Sequence, residues 1–238
     1  MTEDFLAELA DVRTEVAKAT ETEHPSLGEF IRHEVDARAG SPLAGIVLAA
    51  ALPASDTAVR RSARIQLATA MVLLDVALSL HKLLLLQNPD ADTLDKSLVG
   101  GTVLAGDYCF SQAAVAAAHT DNPQVVAIFS DVLKDLSESH LRHLFGEAEE
   151  PLDEFPALFY SGGLSGGVLA GQSADGQQRT ADFAASLAGL ISPNARASSH
   201  SAGVDANQFH TAMRQQTAAH QHPRWLALLA EGGTANDD

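Results

Sequence analysis

The side chains of this sequence that could do chemistry fall into a few groups. Asp90, Asp92 and Asp95 stand close together and could offer carboxylates to a divalent cation. The plainer reading is a solvated acidic loop. His140 and His143 are three residues apart with Glu138 nearby, a spacing that can hold zinc on a helix. No third ligand is evident, so a pair of helix-surface histidines is favoured, and His210, His220 and His222 receive the same reading. Cys109 lies among apolar residues and reads as a buried, inert thiol. Gly162-Gly163 and Gly166-Gly167 could suggest a phosphate loop. No strand precedes them and no lysine follows, so close helix packing is favoured. Asp75 sits in a long apolar run and needs a partner, because an unpaired buried charge costs several kcal/mol. Arg60, Arg61 and Arg64 are its candidates.

These residues need helices to position them. Alanine and leucine recur at spacings of three and four, and no segment alternates at period two for long. Helices are predicted from Thr2 to about Ala19, from Pro25 to about Ala39 and from Pro42 to Leu52. A long one follows a Ser55 or Asp56 cap and runs to about Leu86. Further helices are predicted over 93–118, 121–145, 151–169, 180–191, 205–221 and 223–230. Glycines 100, 101 and 106 inside one of them imply close approach to a neighbour. The expectation is an all-α bundle of about eight to ten helices, one domain over residues 1–232 with a polar tail over 233–238.

Composition narrows the function. The 238 residues carry 31 Asp and Glu against 15 Lys and Arg, a formal charge of −16. Such a surface repels phosphate backbones and anionic lipid, so nucleic-acid binding is not expected. The single cysteine closes no internal disulfide. The stretch from Ile65 to Leu86 contains Gln66, Asp75, His81 and Lys82, and reads as a buried helix rather than a membrane span. The acidic N-terminus lacks signal-peptide features, so a cytoplasmic location is expected. Four Lys against eleven Arg, with abundant Ala and Asp, give the chain a halophile-like character.

Three segments together resemble the trans-polyprenyl diphosphate synthase family. Leu74-Asp-Val-Ala-Leu-Ser-Leu-His81 is similar to the long helix leading into the family's first aspartate-rich motif. Val103-Leu-Ala-Gly-Asp-Tyr-Cys-Phe-Ser-Gln-Ala113 is similar to its LAGDYLFARA helix, the most specific of the three. Ala157-Leu-Phe-Tyr-Ser-Gly-Gly-Leu-Ser-Gly-Gly-Val-Leu-Ala-Gly171 is similar to its small-residue helix. The resemblance covers roughly residues 25–192. It implies an isoprenoid-synthase-like fold and a chemistry that ionises an allylic diphosphate with Mg²⁺ held by two DDxxD motifs, aided by Lys and Arg donors.

The sequence departs from that pattern at each functional position. Lys82-Leu-Leu-Leu-Leu86 replaces the first aspartate motif. The region after it, Asp90-Ala-Asp-Thr-Leu-Asp-Lys-Ser, lacks the family's arginine pair. The GKRxRP position reads Ala39-Gly-Ser-Pro-Leu, with no cation, and Glu154-Phe155 replaces the Lys-Thr pair. Pro193-Asn-Ala-Arg-Ala stands near the second aspartate motif.

A site without these charges cannot stabilise a departing diphosphate, so the resemblance implies a degenerate, non-catalytic member with no catalytic, cofactor or metal residues of its own. Mg²⁺ is expected only in a catalytic partner. Such a chain would act through dimerisation. The expected interface is the preserved segment Gly106 to Ala118, with Gly106, Asp107, Phe110, Ala113 and Ala114 as its candidates. Family tunnel-gating positions correspond to Ala77 and Leu78, and His81 and Tyr108 complete the candidate pocket. The alternatives are a homodimer that binds an isoprenoid or other apolar chain, and an active enzyme with relocated ligands such as Asp90, Asp92, Asp131 and Asp135.

Overall fold

The computed structural model describes residues 2–38, 41–85, 96–147, 153–191 and 206–234. Ten α-helices and one 3-10 turn make up these residues, and no strand occurs among them. In chain order they are α1 (Glu3–Ala19), α2 (Pro25–Ala37), α3 (Leu43–Ala50), α4 (Ala58–Leu85), α5 (Lys96–Ala118), α6 (Pro123–Leu144), α7 (Glu154–Leu169), α8 (Ala174–Ile191), α9 (Ala206–Gln216) and α10 (His222–Thr234), with the 3-10 turn at Ala219–Gln221.

The short helix α3 is apolar on every side, and all its residues are buried. A helix without a polar face must lie inside the bundle. The structure wraps it with α1, α4, α7 and α10. The 28-residue α4 is long and apolar enough to cross a membrane by length and composition, but 78% of its apolar window is buried inside the fold. It packs along α5 on one side and reaches α1, α2, α3 and α7 on others.

Small residues on α7 let neighbouring backbones come close. A Cβ on Gly166 would meet the Ala50 Cβ at 2.6 Å, and one on Gly163 would meet the Ala184 Cβ at 2.7 Å. The glycine pairs are therefore packing residues, wedged against α3 and α8. On α5 the expectation divides. Gly106 lies under the His81 ring, but Gly100 and Gly101 have nothing within 4 Å.

Helix boundaries depart from the sequence pattern in three places, one of them α10, which runs to Thr234 rather than to about Ala230 and so takes in the first two residues of the expected tail. α8 begins six residues before Thr180. Gly171 at φ +73° ends α7, and the Ser173 hydroxyl accepts a hydrogen bond from Gly176 N at 3.3 Å, which caps the new helix. The predicted helix over 205–221 divides into α9 and the 3-10 turn. There the buried Gln221 donates through Nε2 to the carbonyls of Ala50 and Leu52 at 2.7 and 3.0 Å.

The chain's first and last described helices are joined by a buried charge clasp. Glu8 of α1, only 2% exposed, accepts paired hydrogen bonds from Arg64 of α4 (2.6 and 2.9 Å) and from Arg224 of α10 (2.7 and 2.9 Å). Arg64 also donates to both oxygens of Asp56, and the Arg224 guanidinium lies 5.1 Å from the Phe5 ring centre. Burial penalises the Glu8 carboxylate, but the two arginines outweigh it and hold its pKa below the ordinary value.

Candidate functional site

The last two turns of α4 carry most of the site expected from sequence. Ala77 is fully buried and Leu78 is 3% exposed, so both are packed against neighbours. Ala77 joins Ile31, Val76, Leu80, Ala105 and Cys109 in a small cluster between α2, α4 and α5. Burial among these apolar neighbours pushes the Cys109 thiol up to about 12, as an inert buried thiol requires. None of the three described surface pockets is lined by Ala77, Leu78, His81 or Tyr108.

His81 lies across α5. Its ring covers Gly106, packs at 5.1 Å against Phe110, and brings Nε2 to 3.4 Å from Asp107 Oδ1. Tyr108 leaves this group. Its hydroxyl donates to the carbonyls of Ala19 and Glu21, fixing α5 to the end of α1.

Beside His81 the structure assembles charges from four helices. Asp75, 5% exposed, is paired with Arg38 at the C-terminal cap of α2, Nε to Oδ2 3.3 Å. This replaces the expected partners. Arg64 belongs to the Glu8 clasp, Arg61 pairs with Asp11, and Arg60 donates to Ser55 O. Burial raises the Asp75 pKa, opposed chiefly by Arg38. Arg38 also donates to Glu34 Oε2 at 2.9 Å, and the Ser79 hydroxyl donates to the same oxygen at 2.8 Å. Arg38 stands one residue before Ala39-Gly-Ser-Pro-Leu, where no cation was expected. The cation lies just outside that window and is turned inward onto two carboxylates.

Lys82 completes the group. Its Nζ lies 2.6 Å from Glu154 Oε2 at the first residue of α7, whose own N-cap is Asp153. Glu154 is 6% exposed and has its other oxygen 3.0 Å from His140 Nε2 of α6. His140 is thus committed to α7 rather than to His143, which is exposed, and no group of three or more metal-capable side chains occurs among the described residues. Each carboxylate of this region faces a cation or a donor, although the three carboxylates Asp75, Glu34 and Glu154 outnumber the two cations Arg38 and Lys82, and Glu154 Oε1 is left without a hydrogen bond of good geometry among the described residues. Asp90, Asp92 and Asp95, and the stretch Pro193 to Ala197, lie outside the described residues.

The second surface of interest is the outer face of α5. Val103, Leu104, Asp107, Ser111, Ala114 and Val115 are exposed at spacings of three and four, with Leu104 64% exposed. Of the five interface candidates, Asp107 and Ala114 lie on this face and Phe110 is half-buried. Gly106 and Ala113 instead face inward, one under His81 and the other in the chain's own core. Val103, Leu104 and Val115, not named among those five, share this exposed face. Their signal was the apolar residue recurring on the side of α5 opposite the Ala105–Cys109–Ala113 stripe.

No protein-family model matches the chain, and no curated protein matches it. Solved structures do match. The geranyl diphosphate synthase small subunit from Antirrhinum majus superposes with a TM-score of 0.67 at 16% identity, covering 97% of this chain and 100% of that one. A deletion mutant of heterotetrameric geranyl pyrophosphate synthase from mint, in complex with ligands, gives 0.62 at 17% identity, covering 96% and 99%. A decaprenyl diphosphate synthase from Rhodobacter capsulatus gives 0.61 at 20% identity. There the match takes in 78% of this chain and spans 61% of the length of that one. The chain has the all-α isoprenoid synthase fold.

Proposed function

We propose that this chain, built on the fold of polyprenyl and geranyl diphosphate synthases, is a non-catalytic, small-subunit-like homologue of those enzymes. It acts in isoprenoid biosynthesis by pairing with a catalytic subunit. The observation that carries the reading is the Lys82–Glu154 pair. By the sequence resemblance, Lys82 stands where the first aspartate motif begins and Glu154 where the Lys-Thr pair begins. The two charges are exchanged relative to that pattern, and they neutralise one another.

Mg²⁺, which the fold implies, does not fit the described residues here. The ion needs several free oxygen ligands and tolerates no ammonium among them. Glu154 is held by Lys82 with His140 beside its other oxygen, Asp75 by Arg38, and Glu34 by Arg38 and Ser79. A substrate diphosphate would likewise find these cations already paired. The exposed apolar stripe of α5 supports the pairing half of the proposal, since a row of Val, Leu and Ala side chains gains by being covered.

Two measurements test it together. Pull-down with the tagged chain, co-expressed with the polyprenyl diphosphate synthases of its own cell, is expected to recover a full-length synthase. The isolated chain, given allylic and isopentenyl diphosphates with Mg²⁺, is expected to release no diphosphate. Turnover by the isolated chain, or recovery of no synthase, would overturn the reading.

A further inference from the structure

We draw no further inference here: the strongest candidate, the exposed apolar patch of Leu141, Leu144 and Phe145 at the C-terminal end of α6, carries none because nothing in the structure shows what covers it.

Discussion

Lys82 and Glu154, seventy-two positions apart in the chain, meet at 2.6 Å between the end of α4 and the start of α7. The glutamate is buried and the lysine is about half exposed, so the pair sits at the rim of the core. It joins two helices that would otherwise face each other across unpaired charges.

Reversing that pair tests its role. Glu154→Lys alone sets two ammonium groups side by side and is expected to lower stability by about 2–3 kcal/mol. Lys82→Glu with Glu154→Lys restores the attraction with opposite polarity and should recover most of the loss. Urea unfolding of the two singles and the double gives the coupling directly. A double variant no more stable than the sum of its singles would show that the two residues do not interact.

The Glu8 clasp predicts acid sensitivity. Its folded pKa lies below the ordinary value, so the stability it contributes is present at neutral pH and above the unfolded pKa. It is lost as pH falls through the folded pKa. Asp56, whose pKa the hydrogen bonds from Arg64 lower in the same way, adds to this window. Glu8→Gln leaves two buried guanidinium groups facing a neutral amide and should cost about 3–5 kcal/mol at pH 7, and less at strongly acid pH. Thermal unfolding across pH checks both the size and the slope.

Asp75 has the opposite sign. Burial raises its folded pKa, so its contribution is most favourable below the unfolded pKa and is lost as pH rises through the folded one. Arg38 keeps Glu34 as a partner when Asp75 is neutralised. Asp75→Asn is therefore expected to leave stability unchanged or raise it at pH 7, with the advantage vanishing in acid. A loss of more than about 2 kcal/mol at pH 7 would refute this.

Leu104 projects from the outer face of α5 and is 64% exposed. Leu104→Glu should leave stability within about 0.5 kcal/mol of the native chain. If α5 mediates association, the same change should shift light-scattering mass toward the monomer, or abolish recovery of a partner subunit.

Glycines within the helices divide by their surroundings. Gly166→Ala drives a methyl into Ala50 and the Ala51 backbone and should destabilise by about 1–3 kcal/mol. Gly101→Ala meets nothing and should stabilise by up to about 1 kcal/mol through helix propensity. Melting temperatures of the two variants should move in opposite directions.

The helices themselves were legible because local periodicity is a property of neighbouring residues. The 3–4 spacing of α1 and α4, the opening of α6 near Asp121, and the all-apolar α3 each announce themselves within a short window. α8 was misjudged because its first turns are polar, and a serine cap with glycine at the third position gives little apolar signal. The exchange of charge at Lys82 and Glu154 was also readable, but only as two separate anomalies.

The linear order of residues settled that this chain would be helical, acidic and patterned like an isoprenoid synthase. Which charge meets which was decided by tertiary packing. Arg38 rather than Arg64 serves Asp75, Glu8 binds arginines from both α4 and α10, and His140 turns to Glu154 instead of His143. Coulombic attraction in a low-dielectric core acts through space, between groups whose sequence separation carries no trace of their distance.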